Sequence, residues 1–235
     1  MHIYPTHPYP LAKRLLRHCI LLILASVLAA TAFVVQAAKF NVLVSSPGIP
    51  ANGGVINAGV YATLVSGVAP PKPPREILIE QINKEFVPLV SIVQVGTPIN
   101  FPNRDQIRHH VFSFSPAKTF EIKLYSGVQS KPVVFDKPGE VVLGCNIHDT
   151  MIAYVLVVDT PYFAKTGADG RALLDDLPAG EYEVHMWYPI GAAVPAPQRM
   201  KLSPSSTIEV KFTFTPRPNA SPRASPNLGA PGAGK

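Results

Sequence analysis

The most informative part of the chain is VLGCNIHDTMIAYV, which spans residues 142–155. It places Cys145, His148 and Met151 in a C-x2-H-x2-M spacing between two apolar runs. Short apolar runs bounded by turn residues are typical of buried β-strands. We therefore predict that a thiol, an imidazole and a thioether meet in one tight loop between two strands.

A second imidazole is available earlier in the chain, in the segment NRDQIRHHV at residues 103–111. The apolar residues that follow predict a strand here, and successive side chains of a strand point to opposite faces. Only one of His109 and His110 can therefore face the loop that carries Cys145. Strand alternation leaves both histidines open as the ligand.

The combination of these side chains predicts a copper site. Thiolate and imidazole suit both Cu(I) and Cu(II), and one Cys with two His and a weak axial Met is the ligand set of electron-transfer copper. Structural zinc sites more often use four Cys or His ligands, whereas catalytic zinc keeps a position for water. From these residues we expect one type 1 copper ion held by Cys145, His148, Met151 and either His109 or His110.

The first 37 residues have the layout of a secretory signal peptide. Three basic residues precede an apolar run from Cys19 to Val35, and small residues around Ala37 offer a cleavage site. The alternative is an uncleaved membrane anchor, because the run approaches the length that spans a bilayer. Cleavage predicts a periplasmic or secreted protein with no stable membrane span.

Removing residues 1–37 would change the composition of the chain. The net charge falls from +6 to +3, and Cys145 becomes the only cysteine. A lone cysteine in an exported protein is a buried bystander, an intermolecular linker, or a reactive or ligating thiol. The small charge gives no basis for nucleic-acid binding. The sequence shows no Ser/His/Asp triad, phosphate loop or carboxylate pair, so we expect no enzymatic activity.

From Lys39 onward the pattern of apolar residues predicts an all-β protein. Short apolar runs alternate with Gly, Pro, Asn and Asp, and the clearest are Phe40–Val44, Val55–Leu64, Ile77–Ile82, Val90–Val95, Val111–Phe114, Val141–Leu143, Ile152–Val158, Tyr182–Trp187 and Ile208–Phe214. Proline-rich residues 69–74 predict a stiff connector at a domain boundary. Residues 216–235 are rich in Pro, Ser, Ala and Gly and are predicted to be disordered.

Residues 77–159 resemble a cupredoxin of the plastocyanin and amicyanin type, with the Cys-His-Met loop in its short spacing. The segments FPNRDQIRHHVFSFS, LGCNIHDTMIAYVLVVDTPYF and LPAGEYEVHMWYP are similar to the plastocyanin-like proteins named for methylamine utilization. This resemblance implies a Greek-key β-barrel or sandwich. It also implies that His109 is the ligand, because the ligand His of cupredoxins is usually followed by Asn. His110 stands in the place of that Asn, which affects the hydrogen bonds around the metal.

A second domain is predicted from residues 38–76 and 160–215. The segment TGADGRALLDDLPAGEYEVHMWYP resembles the carboxypeptidase-regulatory or transthyretin-like fold, also called carbohydrate-binding-like. This resemblance implies a small prealbumin-like β-sandwich, in which the cupredoxin is inserted or to which it is joined. A fold of this kind does not by itself establish a function.

The resemblance implies a periplasmic one-electron carrier that cycles between Cu(I) and Cu(II). The redox partner would be a cytochrome or a dehydrogenase, and Arg104 and Arg108 would favour an acidic one by electrostatic steering. Two alternatives stay open. One is a copper storage or delivery protein with the same ligands. The other is a structural or glycan-binding module with a vestigial copper site.

Overall fold

The structure, a computed structural model, describes residues 37–47, 54–70, 72–128, 131–189 and 195–215. The predicted signal peptide lies outside these ranges apart from Ala37, and the predicted disordered tail lies wholly outside them. Within them the chain forms strands, turns and irregular segments, so the predicted all-β class is confirmed. The described part of the chain contains no helix with the length and hydropathy needed to cross a membrane.

The strands are numbered along the chain. They are β1 Ala38–Ser45, β2 Gly59–Leu64, β3 Ile77–Leu78, β4 Glu80–Ile82, β5 Glu85–Val87, β6 Val90–Gln94, β7 Thr97–Asn100, β8 His109–Ser115, β9 Lys118–Tyr125, β10 Val133–Phe135, β11 Gly139–Cys145, β12 His148–Val158, β13 Phe163–Lys165, β14 Arg171–Leu177, β15 Gly180–Trp187, β16 Gln198–Leu202 and β17 Thr207–Thr213. Several alternate strictly between buried and more exposed side chains, as β1 does, because one face of each such strand covers a core.

Strands from the two ends of the described chain pair with each other. β1 lies between β14 and β17, antiparallel to the first and parallel to the second. β2 belongs to a sheet with the order β13-β2-β15-β16. One hydrophobic cluster joins these two sheets, with Phe40, Tyr182 and Phe212 among its largest members. The predicted domain boundaries themselves stay a prediction.

The strands between β2 and β13 form the remaining sheets. The largest has the order β6-β12-β11-β8-β9, and beside it lie a sheet β10-β7-β3 and the hairpin β4-β5. β12 pairs antiparallel with β11 and parallel with β6. A second hydrophobic cluster fills this part of the molecule and includes Phe101, Phe135, Cys145 and Met151. The cysteine and methionine of the predicted site therefore lie in one core.

Trp187 packs between the two groups of strands. Its indole Nε1 donates a hydrogen bond to Glu140 Oε2 at 3.0 Å, and its ring packs against a small cluster that contains Tyr154. The opposing strands approach closely at Gly59, where an added Cβ would lie 3.0 Å from both Ile92 Cδ1 and Trp187 Cε3. A side chain at position 59 would therefore displace this contact.

Two predicted segments differ from the structure. The strand expected at Val55–Leu64 begins only at Gly59, because the Ala58 N–H instead donates to the hydroxyl of Thr166 at 2.9 Å. The loop expected to contain Met151 is shorter than predicted. Cys145 pairs directly with His148 across β11 and β12, so Met151 lies within a strand and the turn contains only two residues.

Candidate metal centre

Sheet pairing brings together three of the four predicted ligands. Cys145 is the last residue of β11, His148 is the first of β12, and His109 is the first of β8. β11 pairs with β12 on one side and with β8 on the other. The antiparallel order therefore places the end of one strand next to the starts of its two neighbours.

Both imidazoles direct the same kind of nitrogen at the thiol. The Nδ1 atoms of His109 and His148 each lie 3.9 Å from Cys145 Sγ. The three ligand atoms lie within 4.8 Å of one another, with His109 and Cys145 buried and His148 partly buried. Among the described residues, these three side chains form a group that could hold a metal ion.

The spacing of these atoms fits a bound metal. Zinc, as a reference, binds thiolate sulfur at about 2.3 Å and imidazole nitrogen at about 2.0 Å, which in a trigonal arrangement separates sulfur from nitrogen by roughly 3.7 Å. The observed 3.9 Å for both sulfur–nitrogen pairs is close to that value. The side chains would need only small movements to bind an ion.

Met151, the predicted axial ligand, lies in β12 and is fully buried. It belongs to the same hydrophobic cluster as Cys145. Burial of an apolar thioether also occurs in ordinary cores, where methionine fills gaps. The placement therefore agrees with an axial role, while direct ligation by Met151 stays a prediction.

Asp105 contacts the opposite edge of the His109 ring. The His109 Nε2 atom lies 2.7 Å from Asp105 Oδ2, and the same carboxylate accepts hydrogen bonds from the backbone N–H groups of Asn83 at 2.6 Å and Lys84 at 2.8 Å. Because an ionised carboxylate only accepts hydrogen bonds, Nε2 carries the proton. In the neutral imidazole, this arrangement would leave the Nδ1 lone pair facing Cys145.

The surroundings favour the protonation states that a metal site needs. Burial raises the pKa of Asp105, but hydrogen bonds from Lys84, His109 and Asn83 outweigh it, and the pKa lies below its ordinary value. Burial and the neighbouring His109 and Lys84 lower the pKa of His148, against an opposite effect of Asp105. An ionised carboxylate and a neutral imidazole are thus both favoured near neutral pH, and a neutral imidazole is the form that binds metal.

His110 points elsewhere. Its Nε2 lies 2.9 Å from Glu121 Oε1, its ring lies 5.4 Å from that of Phe112, and its Nδ1 has no hydrogen-bond partner among the described residues. Of the two adjacent histidines, the structure therefore brings His109 to Cys145 and leaves His110 outside the site.

Asp105, which is hydrogen-bonded to His109, is a residue of the candidate site that the sequence analysis did not identify. It lies four residues before His109 in the segment already singled out for its histidines, so a search for carboxylates near candidate ligands would have found it. Asn103 holds the same loop, because its Oδ1 accepts the Asp105 N–H at 2.9 Å and its Nδ2 donates to Ile107 and Tyr125 carbonyls.

No protein-family model and no curated protein matches the chain. Among solved structures, it is similar to a purple cupredoxin from Nitrosopumilus maritimus, with 22% identity, a TM-score of 0.31 and coverage of 35% of this chain and 98% of that one. It is also similar to a reduced Cu(I) form of an amicyanin mutant, with 18% identity, a TM-score of 0.32 and coverage of 42% and 99%. A third is a pseudoazurin from Sinorhizobium, with 22% identity, a TM-score of 0.29 and coverage of 37% and 76%. A functional assignment therefore rests on the side chains of the site.

Proposed function

We propose that the chain is an exported type 1 copper protein that carries single electrons by cycling between Cu(I) and Cu(II). The observation that supports this is the convergence of one thiol and two Nδ1 atoms, each nitrogen 3.9 Å from the sulfur, at the edge of a hydrophobic core. One thiolate with two imidazoles and a weak thioether is the ligand set associated with electron-transfer copper.

The residues around the site are suited to a metal that changes charge without large movement. Asp105 fixes the His109 ring through the turn between β4 and β5, and strand pairing fixes the backbone of Cys145 and His148. Copper would supply the one-electron couple. A site held in this way limits the rearrangement of its ligands between oxidation states, which favours rapid electron transfer.

Electrons would enter and leave through His148. It is the partly exposed member of the three, and the neighbouring Ile147 is 48% exposed, which offers an apolar contact to a redox partner. Arg108 makes no ion pair with a described residue, whereas Arg104 is paired with Glu80 at 2.9 Å. We propose an acidic partner, a cytochrome or a dehydrogenase, that is steered mainly by the unpaired charge.

We propose that the chain is not an enzyme and that it works in the periplasm after removal of residues 1–37. Copper storage or delivery would use the same side chains. The two functions differ in kinetics, because a carrier exchanges electrons quickly and retains its ion, whereas a delivery protein transfers the ion to an acceptor.

The direct test is a titration of the purified full-length protein with Cu(II), followed by optical absorption. We expect an intense thiolate-to-copper band that saturates at one equivalent, bleaches with ascorbate and returns with an oxidant. His185→Gln is a suitable control, because His185 lies near Thr63 and Tyr61 and takes no part in the site. Absence of the band, or rapid loss of copper to an acceptor with slow electron exchange, would contradict an electron carrier.

Replacing Asp105 by Asn should weaken copper binding without removing a ligand. The amide keeps one oxygen, but its NH2 group would face a backbone N–H or the His109 Nε2–H, so the ring loses its fixed orientation. Partners of metal-bound histidines typically contribute about 10–100-fold to affinity. A competition titration with a copper chelator measures the change. Asp136→Asn, an exposed carboxylate paired with Lys118, should leave the affinity unchanged, and equal affinities in the two variants would refute this role of Asp105.

A further inference from the structure

The hairpin formed by β4 and β5 turns directly beside the candidate metal centre. Ile82 pairs with Glu85 across this hairpin, so the turn itself consists of Asn83 and Lys84. Both turn residues have a positive φ, 53° and 63°, as the favoured two-residue turns of β-hairpins require. Such turns prefer Asn at the first position and Gly at the second. Asn83 fits this preference, whereas Lys84 does not.

The backbone at position 84 has a structural role that glycine could fill. The Lys84 N–H donates to Asp105 Oδ2 at 2.8 Å, and the same oxygen lies 2.7 Å from His109 Nε2. Every residue type except proline has this N–H, and glycine adopts a positive φ without the steric cost that the Cβ of lysine adds. The backbone contact therefore does not explain a lysine at this position. Strained residues of this kind cluster at functional sites, which points to a role for the lysine side chain.

Lys84 brings a positive charge to the exposed edge of the metal centre. The residue is exposed, and its backbone shares a carboxylate oxygen with His109, whose ring centroid lies 5.0 Å from that of His148. After burial and His109, the charge of Lys84 also lowers the pKa of His148, whereas the exposed Asp149 is not among the charges that shift this pKa. Asp105 acts in the opposite direction to Lys84, but its side chain is only 14% exposed. An anion that approaches His148 from solvent would therefore meet the ammonium of Lys84.

We propose that Lys84 is a specificity-determining residue, which selects a redox partner that presents an anionic group beside His148. The inference rests on the proposed electron-transfer function and names the residue that recognises the partner. Opposite charges at a contact speed the encounter of two proteins and fix their orientation, and an ammonium is a mobile point charge that can follow an anionic group in several positions. The turn thus supports a metal ligand through its backbone, and it would bind the partner through a side chain.

The test compares two oxidants of opposite charge, hexacyanoferrate(III) and tris(phenanthroline)cobalt(III). The reduced, copper-loaded full-length protein gives one electron to either oxidant, which becomes hexacyanoferrate(II) or the cobalt(II) complex, and no proton is transferred. Lys84→Gln should slow the reaction with the anion by roughly threefold at low salt and accelerate that with the cation by a similar factor, as expected for the loss of one partly screened charge. Lys201→Gln on β16 removes the same net charge elsewhere and should leave both rates unchanged.

A copper-free measurement separates this proposal from the function on which it rests. Hexacyanocobaltate(III) is a redox-inert anion, and it should shift the NMR signals of the His148 ring in the copper-free unaltered protein and in Lys201→Gln, but not in Lys84→Gln. Lys84→Gly should also lose this shift, yet unfold at the same or a higher temperature, because glycine relieves the positive φ of the turn.

The proposal is overturned if Lys84→Gln changes both oxidation rates in the same direction, or if the His148 signals of Lys84→Gln still respond to the anion. A copper-loaded protein that reacts with neither oxidant would overturn the electron-transfer function itself, and this outcome is recognisable because the anion would still shift the His148 signals of the copper-free protein.

Discussion

Replacing Cys145 by Ser is expected to abolish the thiolate-to-copper absorption band entirely. The Cys145 sulfur is the atom that both imidazole nitrogens face, each at 3.9 Å, and Cys145 is the only cysteine among the described residues. A serine hydroxyl is not ionised near neutral pH and is a poor ligand for Cu(I). Removing a residue that only hydrogen-bonds to a metal ligand already lowers metal affinity by about 10–100-fold. We therefore expect the loss of a ligand itself to lower the copper affinity further.

The variant is suitable for this test because Ser and Cys have nearly the same shape. Cys145 is 5% exposed, so the copper-free variant should be compared with the unaltered protein by circular dichroism and thermal unfolding. Cys19→Ser is the matched control, because Cys19 belongs to the predicted signal peptide. A band that persists in Cys145→Ser, or disappears in Cys19→Ser, would show that Cys145 is not the thiolate ligand.

Much of the sheet structure follows from local patterns, because apolar runs between turn residues form strands whose inward side chains cover a core. Phe40–Val44 and Ile152–Val158, for example, lie within β1 and β12. β9 was not predicted, although Phe120, Ile122 and Leu124 alternate with polar residues there. β9 is the edge strand of its sheet, so Phe120 and Ile122 are only partly buried and Leu124 is 46% exposed.

The start of β2 could not be read from the sequence. Residues 54–58 are as apolar as the strand that follows, but they are held by distant residues. The Thr166 hydroxyl donates to the Val55 carbonyl at 2.6 Å, and the Gly54 backbone lies so close to Gly170 that an added Cβ would be 2.3 Å from its Cα. Contacts between residues this far apart in the chain leave no local pattern.

The candidate metal site also has a part that could be predicted from the sequence and a part that could not. Cys145 and His148 are predictable because the two-residue turn of one β-hairpin brings them together. The role of Asp105 depends on a turn more than 20 residues away at Asn83 and Lys84, whose backbone N–H groups donate hydrogen bonds to its carboxylate. The spacing of ligands in a sequence indicates the metal, whereas the groups that orient those ligands become visible only in three dimensions.

The choice between the two adjacent histidines leads to a paired prediction. His109→Gln should eliminate the blue absorption or shift it strongly, because the variant loses one of the two nitrogens at 3.9 Å from the sulfur. His110→Gln should keep the band and its stoichiometry, because His110 bonds to Glu121 and its other nitrogen faces no described partner.

Both histidine side chains are at least nine-tenths buried, so both variants lose packing and each serves as the folding control for the other. Copper titrations at equal protein concentration, with thermal unfolding measured in parallel, distinguish the two roles. A blue band that survives in His109→Gln and is lost in His110→Gln would require strand β8 to turn its opposite face to the metal, and the hydrogen bond between His109 and Asp105 would then have no part in the site.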